Sequence, residues 1–158
     1  MTFKPDDLPT CPVAVEQELD VVEKKMRERG YRWTSQRRLI AREALRNHSH
    51  ITAEELLELC RGHDQEVSRA TVYRTLGMLE SVGFVEGLDT GDGGRKFEHT
   101  LGHEHHDHMI CKSCGLIFEF HDEALEERQR LAAKAFDFEI ESHSLKLFGK
   151  CQSCRNAV

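Results

Sequence analysis

The chain has 158 residues, of which 32% are charged and 39% are hydrophobic, and it carries a formal net charge of −6. This length allows one ordinary domain or two small ones, and the composition is that of a globular protein, which excludes a disordered chain. Because no stretch approaches the roughly 20 apolar residues of a membrane helix and the N-terminus lacks an apolar signal-peptide core, we expect a cytoplasmic protein without a membrane partner.

The first part of the chain is predicted to be helical. Residues 1–14, which contain all three prolines, are expected to form an irregular lead-in. Apolar residues then recur at helical spacing from Leu19 until Gly30, a residue type that suits a helix C-cap. A second helix is expected to begin at Thr34 or Ser35.

Two further helices and a hairpin follow. The stretch "TAEELLELC" opens with a capping box, Thr52 with Glu55, and predicts a third helix that ends near Cys60. Ser68 is the expected N-cap of a fourth helix, which stops at Gly83. The segments "FVEGL" and "RKFEH" flank the turn "DTGDGG" and predict a β-hairpin. Helices followed by one small hairpin are typical of a winged helix-turn-helix, whose last helix enters the major groove of DNA.

The net charge argues against a nucleic-acid partner, but the distribution of charge favours one. Between Lys24 and Arg46, nine basic residues stand against Glu28 and Glu43, a local balance of +7. The residues expected on the outer face of the fourth helix are Arg69, Thr71, Tyr73 and Arg74. Two alternatives stay open here: the basic stretch is a solvated helix face, and the helices pack for stability only.

Beyond residue 100 the pattern indicates a second, α+β unit. The stretch "HMICKSCGLIFEF" predicts two short strands around a cysteine turn, "DEALEERQRLAAKAF" a helix capped by Asp122, and "FEIESHSLKLFGKC" one or two strands. The predicted fold class is therefore α+β, with an N-terminal winged helix-turn-helix domain in residues 1–97 and a small α+β domain in residues 98–158.

The six cysteines are expected to be metal ligands or free thiols, because the cytoplasm keeps thiols reduced. Four of them form two C-x-x-C pairs, namely Cys111, Cys114, Cys151 and Cys154. Two such pairs predict a tetrahedral structural zinc site with Zn–S distances of about 2.3 Å, and a redox dithiol pair is the alternative. Cys11 and Cys60 stand alone and are expected to be free thiols.

The stretch "HEHHDHMICKSC" concentrates histidines immediately before the first cysteine pair. If the chain is extended there, His106 and His108 point to one face, and His105 and Asp107 point to the other. One strand would then serve two metal sites. The pattern H-x-H-x-D-H also matches the dinuclear zinc motif of metallo-β-lactamases, but the residues after His108 are too few for that fold, which disfavours a zinc-dependent hydrolase.

Taken together, these motifs resemble the ferric uptake regulator family of metal-dependent bacterial repressors. The resemblance runs from about Glu16 to Cys154 and rests on "GYRWTSQR", "ITAEEL", "SRATVYRTL", "HHDHMICKSCG", "EFHDEALEERQ" and "SHSLKLFGKC". It implies a winged-helix DNA-binding domain joined to an α+β dimerisation domain in a homodimer, and a regulator rather than an enzyme.

The resemblance also implies three sets of metal ligands. The regulatory site falls on His50, Glu98, His106, His108 and Glu119. The second site falls on His105, Asp107, Glu126 and His143, and the structural zinc falls on the four paired cysteines. Glu98 lies one residue further from the histidine run than in the family pattern, and the remaining histidines, His99, His103 and His121, match no ligand position and are expected at the surface.

For DNA, the resemblance places Tyr73 and Arg74 at the major groove, with Arg69 and Thr71 nearby and Arg32 at the adjacent minor groove. An arginine suits a narrow, A·T-rich groove, so the expected operator is A·T-rich and palindromic. Imidazoles with carboxylates suit Fe(II), Mn(II) or Zn(II). Peroxide-sensing family members carry aspartate where this chain has Glu119, which favours an Fe(II)-dependent repressor of iron-uptake genes, with a peroxide sensor as the alternative.

Overall fold

The computed structural model describes residues 12–47, 49–91, 93–100 and 105–156, except for the side chains of residues 12–14. These residues form two compact units, an N-terminal unit that extends to residue 100 and a C-terminal unit that begins at residue 105. None of the described helices combines the length and the apolar character needed to cross a bilayer.

The N-terminal unit is a helical layer with a small sheet. Its elements are α1 (Pro12–Glu28), α2 (Ser35–Arg46), β1 (Ile51–Thr52), α3 (Ala53–Arg61), α4 (Arg69–Ser81), β2 (Val85–Asp89) and β3 (Arg95–His99). The strands form an antiparallel sheet in the order β1-β3-β2, and β2 and β3 make the predicted hairpin. Two features differ from the sequence prediction: α1 begins at Pro12, inside the expected irregular lead-in, and the two-residue strand β1 was not expected.

The helix boundaries follow from capping groups. The hydroxyl oxygens of Thr34 and Ser68 accept hydrogen bonds from the backbone three residues ahead and begin α2 and α4 as predicted. Just after the C-terminal ends of α1 and α4, Gly30 and Gly83 adopt φ angles of +79° and +77°, which glycine reaches without steric cost.

One apolar core holds the N-terminal unit together. Its largest fully buried side chains include Phe84, Leu19, Leu45, Leu56 and Leu76, which come from all four helices of the unit and from the residue before β2. Each such side chain contributes roughly 1.5–3 kcal/mol when it is removed from water. This core keeps the outer face of α4 at the surface, because Val72 and Leu76 on the inner face are fully buried.

The wing hairpin is attached to α4 through Glu80. The Glu80 carboxylate accepts a hydrogen bond of 3.2 Å from the Gly87 backbone N–H and forms an ion pair with Arg95. The Arg95 guanidinium lies so close over Gly87 that a Cβ atom there would collide with it. A glycine at this position therefore lets Arg95 cross β2 and reach the helix.

The C-terminal unit is built on a three-stranded sheet. Its elements are β4 (Asp107–Cys111), β5 (Ile117–Phe120), α5 (Glu123–Ala135), β6 (Lys146–Gly149) and α6 (Gln152–Asn156). The strand order is β5-β4-β6, with β4 antiparallel to β5 and parallel to β6. Asp122 caps α5 as predicted, by accepting from the Ala124 N–H at 2.9 Å, whereas the short helix α6 was not predicted.

This unit buries few apolar side chains. Among its described residues, only Ile110, Cys111 and Phe120 belong to the buried apolar set, and the only buried residue of α5 is Glu126. Large apolar side chains are instead exposed, including Leu131, Phe136, Phe138, Leu147 and Phe148. An apolar groove of about 330 Å³ lies along β4 and β6 and includes Met109, Phe118 and Leu147.

The contribution of the α3 capping box to stability can be tested by substitution of Thr52. Thr52 Oγ1 accepts from the Glu55 N–H at 3.1 Å, and the Glu55 carboxylate accepts from the Thr52 N–H at 2.8 Å. We expect Thr52→Ala to lower the free energy of unfolding by about 1 kcal/mol, measured by urea denaturation, because it leaves a helix N–H without its acceptor. Thr52→Ser, which keeps the hydroxyl, should lose much less, and equal stability of the two variants would contradict this account.

The same box predicts a pH dependence. Hydrogen bonds from the Thr52 backbone and side chain lower the pKa of Glu55 below its ordinary 4.5. A carboxylate with a lowered pKa in the folded state contributes its full stabilisation above the unfolded value and loses it as the pH falls through the folded value. The stability difference between the wild type and Glu55→Gln should therefore shrink as the pH is lowered below about 4.5.

Candidate metal sites and nucleic-acid interface

The four paired cysteines come together at one end of the C-terminal sheet. Cys111 ends β4 and Cys151 lies two residues after the end of β6, and these strands are parallel neighbours with Cys111 opposite Gly149. Cys114 lies in the turn after β4, and Cys154 lies in α6. The four sulfur atoms all lie within 4.8 Å of one another, which fits a tetrahedral metal site better than a single dithiol pair.

The electrostatics of this cluster favour a cation. The backbone N–H of Cys151, with those of Ser113 and Cys114, donates to the Cys111 sulfur and lowers the pKa of that thiol to about 6. Hydrogen bonds with the sulfurs of Cys151 and Cys114 instead raise the pKa of Cys154 to about 12. The backbone therefore stabilises one thiolate, and four thiolates at this spacing need a positive charge between them. The cluster fits a structural Zn(II) ion, which binds and orders deprotonated cysteines.

A second cluster also lies wholly within the C-terminal unit. Its members are His105, Asp107, Glu126 and His143, whose ligand atoms lie within 4.8 Å of one another. Asp107 begins β4, Glu126 is the buried residue of α5, and His143 lies in the segment before β6. The His143 Nε2 to Glu126 Oε1 distance is 3.2 Å, and His105 Nε2 lies 3.4 Å from Asp107 Oδ1 and 3.5 Å from Glu126 Oε1.

Asp107 supports a cation in this cluster. Both of its carboxylate oxygens are buried, and neither has a hydrogen-bond partner within the described part of the chain. A buried carboxylate is costly unless an opposite charge compensates it. Two carboxylates and two imidazoles are the ligand types of a divalent transition metal, so the donor set fits a metal ion.

The residues predicted for the regulatory site fall into two groups, one in each unit. In the N-terminal unit, His50 Nε2 lies 2.9 Å from Glu98 Oε2, because β1 pairs with β3 in the register Ile51 to Phe97 and so brings the flanking residues 50 and 98 together. Glu98 is buried, with 6% of its surface exposed. This pair joins residues that are 48 positions apart in sequence.

In the C-terminal unit, the other three predicted ligands share the sheet. His108 in β4 lies opposite Glu119 in β5, and the His106 and His108 rings are 5.0 Å apart. His106 Nε2 lies 3.9 Å from Glu119 Oε2. The expected alternation is present, since His106 approaches Glu119 whereas His105 approaches Asp107 and Glu126.

The histidines outside the ligand sets have different environments. His99 was expected at the surface, but it is 4% exposed, and its Nε2 lies 3.4 Å from Glu18 Oε2 in α1. Burial raises the pKa of Glu18. The signal that sequence reasoning missed is the strand period, because His99 and buried Phe97 lie two residues apart on β3 and face the same side. His121 is exposed as expected, and His103 lies outside the described residues.

The side chains predicted to face DNA lie on an open surface of the N-terminal unit. Arg69, Tyr73 and Arg74 are exposed on α4, and Arg32 is exposed ahead of α2. Thr71 is half-buried, and its hydroxyl lies 2.8 Å from the Ser68 Oγ at the helix start. Thr71 therefore acts first as part of the helix cap.

The basic stretch from Lys24 to Arg46 is partly neutralised. The Glu16 carboxylate of α1 lies 2.8 Å from Arg38 and 3.0 Å from Arg42, and the hydrogen bond from Arg38 lowers the pKa of Glu16. Arg38 also lies 3.6 Å from Glu23. Because Glu16 and Glu23 precede Lys24, the balance of +7 between Lys24 and Arg46 leaves them out and overstates the positive charge that α1 and α2 present together.

Comparison with known proteins gives a consistent result. The sequence profile of the Ferric uptake regulator family matches residues 28–148. The chain is 38% identical over 140 residues to the ferric uptake regulation protein of Campylobacter jejuni, with 87% of this chain and 88% of the relative covered. It is 33% identical over 142 residues to the peroxide-responsive repressor PerR of Staphylococcus epidermidis, with coverages of 90% and 93%. Its fold matches that of the Helicobacter pylori ferric uptake regulator Fur, a structure described as having three functional metal-binding sites, with a TM-score of 0.80, 32% identity and 99% coverage of both chains.

The assignment of the cysteine cluster as a zinc site can be tested by measuring metal content. We expect Cys111→Ser to lose the zinc that the wild-type protein keeps after dialysis against a weak chelator, measured as zinc per chain, because three thiolates hold the ion less tightly than four. Cys60→Ala is the matched control, since Cys60 is fully buried in the other unit and burial raises the pKa of its thiol to about 12. Equal zinc content in Cys111→Ser and the wild type would refute the assignment.

Proposed function

Because the chain belongs to the ferric uptake regulator family of metal-responsive DNA-binding regulators, we propose that it is an Fe(II)-dependent repressor of iron-uptake genes. It acts in the cytoplasm as a homodimer on double-stranded operator DNA, with the N-terminal unit as the DNA-binding domain and the C-terminal unit as the dimerisation and metal-binding domain. Because β3 runs to His99, the boundary lies a few residues after the predicted residue 97. The observation that carries the proposal is that one strand pairing in each unit brings proposed regulatory ligands together. The pairing of β1 with β3 does so in the N-terminal unit, and the pairing of β4 with β5 does so in the C-terminal unit.

The proposed regulatory ligands are His50, Glu98, His106, His108 and Glu119. The first two already form a pair at 2.9 Å in the N-terminal unit, and the last three share the β4/β5 face of the C-terminal unit. When bound, a divalent ion supplies the attraction that lets imidazoles and carboxylates from both units act as one ligand set. Fe(II) is the proposed regulatory metal, and Mn(II) or Zn(II) can substitute with the same donor types.

Linkage connects this site to DNA. If the metal and the operator favour the same arrangement of the two units, each must strengthen the binding of the other by the same factor, typically 5- to 150-fold. The two ligand groups lie on separate units, so only an arrangement that brings them together binds the metal with full affinity. That difference in affinity is what allows the metal to act as a switch.

We propose that α4 reads the major groove and Arg32 enters the neighbouring minor groove. Tyr73 and Arg74 are the base-contacting candidates on the exposed face of α4, with Arg69 and Thr71 nearby. A homodimer presents two copies of this helix, so the operator is expected to be palindromic, with half-sites about one helical turn apart. The minor-groove contact favours A·T-rich flanks.

The apolar surface of the C-terminal unit supports the homodimer. Leu147 and Phe148 on β6 are about half exposed, and the groove along β4 and β6 is lined mainly by apolar side chains. Exposed apolar patches of this kind mark interaction surfaces in soluble proteins. The second-site cluster of His105, Asp107, Glu126 and His143 joins α5 to the sheet of the same unit and is proposed to bind a further divalent ion.

Peroxide sensing is the second candidate, because a peroxide-responsive repressor is among the similar proteins. The residue that favours iron sensing is Glu119, which stands where peroxide-sensing members carry aspartate. Both functions use the same ligands, so they differ in what happens to the ligand histidines in the presence of an oxidant.

The metal switch is tested by measuring operator affinity with and without Mn(II). We expect Mn(II) to increase the affinity of the wild-type protein by about 5- to 150-fold. His106→Ala should lose most of this increase because it removes one regulatory ligand, whereas the exposed His121→Ala, outside every ligand set, should retain it. If Mn(II) leaves the operator affinity of the wild-type protein unchanged, the proposal is wrong.

Iron sensing and peroxide sensing are separated by mass measurement. The Fe(II)-loaded protein is exposed to dilute H2O2, and the peptides that carry His50, His106 and His108 are analysed. We expect these peptides to gain no oxygen atom and operator binding to persist. An added oxygen on one of these histidines, together with loss of binding, would establish the peroxide sensor instead.

A further inference from the structure

A single carboxylate on α3 holds two of the side chains on the outer face of α4. Glu54 Oε2 lies 2.8 Å from the Arg69 guanidinium, and Glu54 Oε1 lies 3.4 Å from the Tyr73 hydroxyl. Arg69 and Tyr73 are four positions apart on α4 and therefore lie on the same stripe of the helix. The neighbouring acid, Glu55, is turned back into the capping box, so the two adjacent carboxylates of α3 have separate roles.

The negative charge of Glu54 opposes binding to DNA at this surface. Its side chain is 45% exposed, on the surface that the proposed function assigns to the duplex, where phosphates repel a carboxylate. The Arg69 side chain is 69% exposed and could otherwise contact a phosphate of any sequence. The pair with Glu54 makes such a contact less favourable, because Arg69 must leave a partner at 2.8 Å in order to form it.

We propose that Glu54 is a specificity-determining residue, which holds Arg69 and Tyr73 in place and weakens binding to DNA of the wrong sequence. This inference rests on the proposed function, since it takes α4 to be the recognition helix. A correct operator compensates for the carboxylate through base contacts from α4, whereas a random duplex offers only phosphates. The hydrogen bond from the Tyr73 hydroxyl also restricts the orientation of the ring, which an apolar contact with a base requires.

A purely structural role is the competing explanation. An ion pair between two exposed side chains contributes little to stability, so loss of Glu54 should shift the melting temperature by only a few degrees. The two explanations differ in DNA binding. A structural pair would leave the ratio of specific to non-specific affinity unchanged, whereas a specificity determinant would change it.

The experiment uses the full-length, Mn(II)-loaded protein and two duplexes. One duplex is selected from a random pool by the wild-type protein, and the other is its scrambled version. We expect Glu54→Gln to bind the scrambled duplex roughly 3- to 10-fold more tightly, and the slope of log affinity against log salt to steepen by about 0.9, because Arg69 gains one phosphate contact. Affinity for the selected duplex should rise less, so that the specificity ratio falls.

Glu58→Gln is the matched control, since it removes the same charge one helical turn further along α3. Among the described contacts, none joins the Glu58 side chain to α4, so its specificity ratio should stay near that of the wild type. Tyr73→Phe tests the hydroxyl. It should change the specificity ratio less in the Glu54→Gln protein than in the wild-type protein, because the hydrogen bond to Glu54 is already lost there.

The outcomes distinguish this inference from the proposed function. If the wild-type protein selects no duplex from the pool, the proposed function fails and Glu54 has nothing to determine. If the wild type selects a duplex but Glu54→Gln leaves the specificity ratio and the salt slope unchanged, or if Glu58→Gln changes them equally, the role of Glu54 is overturned.

Discussion

The two-residue alternation of β4 is the constraint on which the C-terminal unit depends. Within seven positions, from His105 to Cys111, the chain supplies ligands to three separate clusters. His106 and His108 face one side, Asp107 faces the other, and Cys111 ends the strand beside β6. Because successive side chains of a strand point to opposite faces, a shift of one residue would exchange the two histidine clusters. The pairing of β4 with β5 on one edge and β6 on the other fixes that register.

The N-terminal unit relies on a similar pairing that the sequence barely indicates. β1 has only two residues, too few for a detectable strand pattern, yet its pairing with β3 brings His50 to Glu98. The helix starts at Thr34, Thr52 and Ser68 could be predicted because each depends on local hydrogen bonds between a side chain and the backbone nearby. Contacts between distant segments could not be predicted in that way. The burial of His99 follows from the strand period, but its partner Glu18 and the ion pairs between α1 and α2 depend on tertiary packing and left little signal in the local sequence.

The charge pattern of the N-terminal unit shows why counting basic residues was insufficient. Two arginines of α2, Arg38 and Arg42, already have carboxylate partners, from Glu16 and Glu23 in α1. Elsewhere in the unit, Glu54 holds Arg69 beside Tyr73. A surface organised in this way favours recognition that depends on base contacts over general attraction to a polyanion, and it is compatible with the net charge of −6.

The small buried apolar set of the C-terminal unit has a thermodynamic consequence. Unfolding exposes apolar surface and thereby raises the heat capacity, but α5 buries only Glu126, and Phe136 and Leu147 are already in solvent in the single chain. In the proposed homodimer, that apolar area is removed from water when two chains associate. With such a dimer, the heat-capacity increment of this unit would belong largely to association, and its melting temperature would depend on protein concentration.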